Sequence, residues 1–358
     1  MIQVTKTFFP PIKEYHQQVQ RIWDNAWLTN RGLLLQELEI NLISHLGVGN
    51  ITLTSNGTLP IQIALKVLAD QGEVITTPFS YVATTAAIVW QNCIPVFVDI
   101  HPEYLTIDET KIEKAITNKT TAILATHVFG NPCNVEVIQA IAEKHNLKVI
   151  YDAAHCFGVN YKNTSLFNYG DVSTCSFHAT KIFHTAEGGA FFCRDKELNH
   201  KLFYGHNFGH NGPLEFHGVG INAKMSELQA AMGLSVLPYI AKIFAERKKV
   251  VDFYNLNLNF DEISKMKIRE NTDWNYSYYP LIFESEEALL KVQKALNQED
   301  IYPRRYFYPS LNTLNYVNYD KMEISESISS RILCLPLAVG ISNSACSKIC
   351  KIIMSHLN

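Results

Sequence analysis

Residues 175–193 read CSFHATKIFHTAEGGAFFC, and the fold turns on how that stretch is understood. It opens as an apolar, strand-like run and then meets Lys181. It turns through Glu187-Gly188-Gly189 and closes as a second apolar run. A lysine at the mouth of a core is ordinarily a salt-bridge partner, or a side chain whose stem is buried while its head stays in water. It is also the residue type that, stripped of its charge by burial, becomes a nucleophile able to hold a carbonyl compound covalently. The surrounding sequence has to separate these two.

From about residue 50 onward, β-branched and aromatic runs alternate with segments of helical spacing. ITLTS (51–55), EVITTP (73–78), IPVFVDI (94–100), TAILATHV (121–128), LKVIYDAA (147–154), VSTCSFH (172–178) and GGAFFC (188–193) predict seven strands. Near-continuous apolar runs of this kind suit a sheet covered on both faces. Ile61, Leu65 and Leu68, and then Val137, Ile138 and Ile141, mark helices between them. Such alternation predicts an α/β fold with a mostly parallel sheet, and the short link between the last two runs predicts an antiparallel pair.

Beyond residue 200 the pattern changes. GHNFGHNGPLEFHGVGIN (205–222) predicts a long loop, followed by a helix presenting Met225, Leu228 and Met232 on one face. Pro238 stands near the start of a long helix, YSYYPLIF (276–283) predicts a strand, and Leu289, Val292 and Leu296 a further helix. The expected organisation is a large domain over 1–238 and a smaller α+β domain over 239–358, with the segment 1–30 packing on the smaller one.

At 358 residues, 47% hydrophobic and 18% charged, with net charge −3, the chain has ordinary globular composition and no bulk basic field for nucleic acid or an anionic membrane. No run of 18 apolar residues predicts a spanning helix, and the N-terminus has no basic flank followed by an apolar run. The eight cysteines are scattered without a CxxC pair, so reduced core thiols and a cytoplasmic compartment are expected. GxGxxG, Walker and HExxH motifs are absent. His206, His210 and His217 cluster in the glycine-rich loop, but the glycines between them argue against a helix presenting paired ligands. No metal is expected.

Four features fall at the carboxyl ends of predicted strands, where open α/β sheets place ligands. SNGTLP (55–60) puts Gly57 and Thr58 at a helix start, either an anion site or a plain N-cap. TTPFSYVATT (76–85) places Phe79 and Tyr81 where an aromatic stacks on a flat ring or packs in the core. YDAAHCFG (151–158) ends an apolar strand in Asp152, with His155 three residues on. A carboxylate there needs backbone donors or a cation, and a pyridinium nitrogen is such a cation. Ser176 and Lys181 complete the set. Each feature alone admits its structural alternative; in this order they make up what a pyridoxal phosphate site requires.

At this point the chain resembles the DegT–DnrJ–StrS sugar aminotransferases, of the aspartate aminotransferase fold (fold type I), over nearly its whole length. The resemblance rests on WLTNRG (27–32), SNGT (55–58), TTPFSYVATTAAI (76–88), DAAHCFG (152–158), SFHATK with EGG (176–189) and GINAKMSELQAAMGL (220–234). It implies pyridoxal 5'-phosphate as cofactor, with Lys181 as the covalent anchor and proton shuttle. Asp152 is implied on the pyridine nitrogen, His155 against the ring or its phenolic oxygen, and Tyr81 stacked on the ring. Gly57, Thr58 and Ser176 are implied at the phosphate, and Asn222 at the phosphate of a neighbouring subunit, hence a homodimer. Glu187-Gly188-Gly189 is expected to be a structural turn. Ala186 stands where the family commonly has glycine, which bears on the geometry of that turn.

Lysine at 181, where related dehydratases carry histidine, implies transamination. AWLTNRG (26–32) is nearer to members acting at C4 than at C3. The implied reaction moves an amino group from L-glutamate to the C4 ketone of a nucleotide-linked 4-keto-6-deoxy sugar, dTDP-4-keto-6-deoxyglucose, for O-antigen or a related surface polysaccharide. A galacto-configured C4 product, a C3 aminotransferase, a non-catalytic regulator and a zinc hydrolase on the histidine loop stand as alternatives. Arg304, Arg305 and Tyr306 in YPRRYFYP (302–309) are candidates for the nucleotide, against a solvated turn, and Thr29 for the sugar.

Overall fold

The computed structural model describes residues 1–69 and 71–357. Seven strands form its main sheet: β1 Thr52–Thr54, β2 Glu73–Thr76, β3 Ile94–Phe97, β4 Thr120–Thr126, β5 Lys148–Asp152, β6 Val172–Ser176 and β7 Gly189–Phe192. They lie in the order β1-β7-β6-β5-β4-β2-β3. Every neighbouring pair is parallel except those made by β7, which runs antiparallel between β6 and β1. All seven sequence-predicted strands are therefore present, and the antiparallel member is the one entered through Gly188-Gly189.

Direction is what assembles the site. The parallel strands end on one edge, and β7, running the other way, begins there. Asp152 ends β5, Ser176 ends β6, Thr126 ends β4, and Gly189 starts β7 opposite Ser176. Gly189 is obligatory: a Cβ there would collide with the Asn56 backbone and lie 2.8 Å from the Cys175 carbonyl oxygen.

The intervening helices cover both faces. Helix α3 (Thr58–Leu68) buries Ile61 and Leu65, and α6 (Val135–His145) buries Ile138 and Ile141. Two large apolar clusters flank the sheet. One is centred on Val149, Tyr151, Cys175 and Phe192, the other on Ile61, Leu124, Ile150 and Phe191. Successive residues of β5 thus point into opposite cores, as the pleat requires. A third core, separate from these, joins α9 (Ile240–Asn257), α10 (Glu286–Gln298) and α12 (Asn343–Leu357) to a second antiparallel sheet. That sheet runs Ile263–Lys265 (β8), Tyr279–Phe283 (β9) and Ile332–Leu335 (β10), with β9 in the centre. Residues Ile2 and Gln3 pair with Ile301 and Tyr302 beside this core, whereas α1 (Ile12–Asn25) packs against α8 (Glu227–Val236).

Arg247 ties the second region together internally. It is buried in α9, and its guanidinium donates to the carbonyls of Tyr276 (2.8 Å), Leu337 (2.8 Å) and Ser277 (2.5 Å). A buried cation without a carboxylate partner is tolerated because its donor fork is filled by carbonyl oxygens. The continuous helical run Glu227–Asn257 is long and apolar enough to cross a membrane. Here Ala231, Leu234, Ile240, Ile243 and Val251 of that run are buried in protein, while Ala241 and Ala245 are exposed.

Two sequence expectations need correction. Met225 precedes α8, because Ser226 is the N-cap and forms a capping box with Gln229, and Leu228 is exposed. The buried face is instead Ala230, Ala231, Gly233 and Leu234, small residues that let the helix press against Leu38 and Thr185. The strand expected from 276 begins at Tyr279, since Tyr276 has a left-handed backbone with φ 56.

Ala186, in the turn before β7, also has positive φ (66) and is exposed. A side chain in this region costs more than glycine's extra chain entropy. Ala186→Gly is expected to stabilise the protein by roughly 0.5–1 kcal/mol, read as a higher denaturant midpoint at unchanged slope.

Candidate active site

A cavity of about 210 Å³ opens at the carboxyl edge of the main sheet, lined by Gly57, Thr58, Tyr81, Asp152, His155, Ser176 and Lys181. Its outer wall is Tyr278, Arg304, Tyr306 and Phe307, supplied from the second half of the chain. Residues that sequence spacing could only place on separate strand ends therefore share one chamber.

Lys181 lies in the loop after β6, held by its N–H to the His178 carbonyl at 2.9 Å. Thr185 N–H returns to Phe177 O (3.0 Å) and Phe177 N–H meets Gly188 O (2.8 Å), so the loop closes on itself immediately before β7. Burial lowers the Lys181 pKa to about 8, opposed by the negative charge of Asp152 and assisted by the positive charge of Arg304. The amine is thus close to the pH at which it becomes a free nucleophile.

Asp152 is 4% exposed. Its carboxylate accepts from Thr84 Oγ1 at 2.6 Å and from Ala154 N–H at 3.1 Å. Burial raises its pKa, while the two donors and Lys181 pull it down. His155 accepts from Phe129 N–H at Nδ1 (3.3 Å), which leaves its ring proton on Nε2. Burial, Lys181 and Arg304 hold its pKa well below the usual value, so the ring is neutral at physiological pH. Its ring lies nearly parallel to those of Phe129 and Phe307, with all three centroids within 5.3–6.0 Å of one another.

At the opposite end of the cavity Gly57 crosses Ser176. A Cβ on Gly57 would lie 2.7 Å from the Ser176 Cβ, so only glycine lets the α3 turn approach β6. The first amides of α3 do not point free. Asn56 Oδ1 accepts from both Thr58 N and Leu59 N at 3.0 Å, a cap that Gly57 and Thr58 alone did not disclose. Anion capacity at this turn rests on the hydroxyls of Thr58 and Ser176 and on the positive end of the helix. Gln229 of α8 donates to Ser55 O (3.1 Å) and Glu187 O (2.7 Å), bracing the anion turn and the lysine loop together.

Tyr81, half-exposed, stands at the mouth, edge-on to Tyr306 at 6.0 Å. Arg304 reaches the cavity with its guanidinium over Tyr306 at 4.5 Å. Its neighbour Arg305 turns elsewhere, pairing with Glu286 at 2.5 Å and the Ser330 carbonyl at 2.8 Å, because successive residues of an extended segment face opposite ways. Thr29 and Asn222 are both exposed and outside the cavity; Thr29 O accepts from Trp27 Nε1, and Asn222 Oδ1 from Lys224. The loop histidines are separately engaged, His206 with Phe203 O, His210 against Phe216 and His217 on Tyr204. Among the described residues no three His, Cys, Asp or Glu groups gather as a metal site.

Glu187, expected only as part of a structural turn, lines the cavity 3.6 Å from His178, and sequence reasoning passed over His178, Thr84, Ser80 and Tyr278. The hydroxyls had a signal in TTPFSYVATT, a run of Ser and Thr at a strand end, but nothing in one dimension aimed them at Asp152.

Comparison with known proteins agrees with this architecture. Residues 11–354 match the DegT/DnrJ/EryC1/StrS aminotransferase family. A dTDP-4-amino-4,6-dideoxy-D-glucose transaminase of Shigella dysenteriae is 40% identical, over 96% of this chain and 95% of that protein. One of Escherichia coli is 38% identical, over 99% of both. The crystal structure of DesI with its TDP-sugar product superimposes with a TM-score of 0.93 at 27% identity, over 100% of this chain and 93% of that one. The chain belongs to the DegT/DnrJ/EryC1/StrS aminotransferase family, whose cofactor is pyridoxal 5'-phosphate. The residues present fit that group: a low-pKa amine, a buried carboxylate with lone pairs to spare, and two hydroxyls at a helix start.

The amine must lose its proton before it attacks an aldehyde. Capture of pyridoxal phosphate by the cofactor-free protein is therefore expected to accelerate with pH through a midpoint near 8. Asp152→Asn removes the charge that holds this value up, so its midpoint falls lower still. Stopped-flow absorbance at a series of pH values checks both; a midpoint at the ordinary lysine value of about 10.4 would contradict them.

Proposed function

We propose that this chain transfers an amino group from L-glutamate to the C4 ketone of dTDP-4-keto-6-deoxy-D-glucose, giving dTDP-4-amino-4,6-dideoxy-D-glucose. The observation that carries the reading is the convergence of Lys181, Asp152, His155, Tyr81 and Ser176 on one cavity. The substrate follows the two relatives of that activity, similar over nearly the whole chain.

Pyridoxal phosphate, when bound, supplies an aldehyde to carry the nitrogen and a ring to take up the electron pair released at carbon. The residues supply the rest. Lys181 Nζ holds the cofactor covalently and, once released, takes up and returns a proton. Its lowered pKa makes both directions accessible near neutral pH. Asp152, with acceptor positions left open toward the cavity, would hold the pyridine nitrogen and favour its protonated form. His155, neutral and packed against the Phe129 and Phe307 rings, would bound the site beside the cofactor without adding charge. Tyr81 at the cavity mouth would pack against the ring, and Thr58 and Ser176 would hold the phosphate. Arg304, cationic and at the mouth, suits the diphosphate of the sugar nucleotide. Water is kept from the interior by the aromatic wall of Tyr278, Tyr306 and Phe307.

The active unit is a homodimer in the same reading. Asn222 faces outward from its own cavity, where a second copy's site can receive it, and Phe208, Leu214, Phe216 and Val219 around it are exposed apolar side chains. We assign the enzyme to the cytoplasm, where its buried thiols stay reduced, and its product to surface polysaccharide such as O-antigen.

Incubation with glutamate and dTDP-4-keto-6-deoxyglucose, followed by NMR of the product, tests the reading. A C4 amine formed with stoichiometric 2-oxoglutarate is expected, and Lys181→Ala lowers the rate by about a thousandfold or more. A C3 amine, or loss of the sugar oxygen without amination, would contradict it.

A further inference from the structure

We propose that three buried hydroxyls, on Thr126, Ser80 and Thr84, form a one-way donor relay that holds the Asp152 carboxylate ionised and aimed at the cofactor ring, making Thr84 a positioning residue. The inference rests on the aminotransferase reading above and adds to it Thr84, which does not line the cavity, together with Ser80 and Thr126, which line it beside Asp152.

The direction of the relay follows from donor arithmetic. Thr84 Oγ1 lies 2.6 Å from Asp152 Oδ2, and an ionised carboxylate only accepts, so the single Thr84 proton is committed to it. Ser80 Oγ lies 2.7 Å from Thr84 Oγ1 and must therefore donate to it. Thr126 Oγ1, 3.0 Å from Ser80 Oγ, must donate in turn. Each hydroxyl thus points its proton toward Asp152, and chains of this kind polarise one another in a low-dielectric interior.

The members come from three segments: Thr126 ends β4 in register with Asp152 on β5, Ser80 lies in the loop after β2, and Thr84 sits in the first turn of α4 (Val82–Trp90). Thr84 is 0% exposed, Ser80 1% and Thr126 4%, so the relay runs through the protein interior at the cavity's edge. With Ala154 N–H on Oδ1, two acceptor positions of the carboxylate are filled by protein. Those that remain are left for a donor in the cavity.

The titratable groups around Asp152 come from other elements. Lys181 is in the loop after β6, Cys175 on β6, Cys156 and His155 in the loop after β5, and His127 follows β4 with its N–H on the Asp152 carbonyl. Helix α4 carries no titratable side chain, so removing a hydroxyl from it leaves all of these charges unchanged. Thr85, beside Thr84 and equally buried, has a hydroxyl with no partner among the described residues and serves as the internal control.

The experiment titrates cofactor-free protein with pyridoxal phosphate and follows the bound cofactor's visible spectrum against pH. Donation from Thr84 favours the charged carboxylate, so its loss moves protonation of Asp152 to higher pH. In Thr84→Val the acid midpoint of the spectrum is expected to rise by about one pH unit and the cofactor Kd to weaken about tenfold. Ser80→Ala moves the midpoint the same way by less, and Thr84→Ser restores both quantities. Thr85→Val changes neither, whatever it does to the melting temperature. A Thr84→Val protein with the parent's midpoint and Kd, or a Thr85→Val protein with the same shifts, overturns the relay alone. A parent protein that takes up no pyridoxal phosphate overturns the aminotransferase reading and the relay with it.

Discussion

A carboxylate that ends a buried strand is the constraint from which the rest of this site follows. Asp152 is almost wholly enclosed, and an unpaired charge there would cost several kcal/mol. The protein answers with two donors, Thr84 and Ala154, and with the opposed charge of Lys181 nearby. None of these contacts closes a direct ion pair. Burial drives the lysine toward its neutral form and the carboxylate toward its protonated form, while each opposes the other's shift. Both groups are held reactive because neither is fully satisfied by the other.

The sheet topology makes that standoff possible. Parallel strands deliver their ends to one edge, so Asp152, Ser176 and Thr126 arrive together from segments far apart in the chain. The single reversed strand carries the lysine loop back alongside them. Backbone approach at two glycines, Gly57 over Ser176 and Gly189 against Asn56, then brings the anion turn within reach. The second half of the chain contributes the outer wall, through Tyr278, Arg304 and Tyr306, and is tied to the first by Asn275 and Ser277, which donate to the His155 carbonyl. Chemistry is thus set on the rigid sheet, and the substrate side is set by the region that packs over it.

Much of this was legible in one dimension. The seven strands were marked by uninterrupted apolar runs, and the odd one by a Gly-Gly turn too short for a crossover helix. Lys181, Asp152 and Ser176 stood out because each is polar at the end of such a run. What stayed hidden was rotational. Helix α8 turned out to bury its small residues instead of Leu228, since close packing against α2 (Leu33–Leu46) selects alanine and glycine over bulk. Arg304 and Arg305 are adjacent in sequence but face opposite ways, and no period distinguishes them. The Asn56 cap and the Ser80–Thr84 hydroxyls are short polar contacts that only the folded geometry defines.

The central claim is that Lys181, among all the lysines of the chain, is the one that bonds covalently to pyridoxal phosphate. The most direct measurement is borohydride reduction of the loaded protein, digestion, and mass spectrometry of the modified peptide. The account predicts a single reduced adduct, on the peptide containing Lys181. An adduct on another lysine, or none in a protein that binds the cofactor, would contradict it.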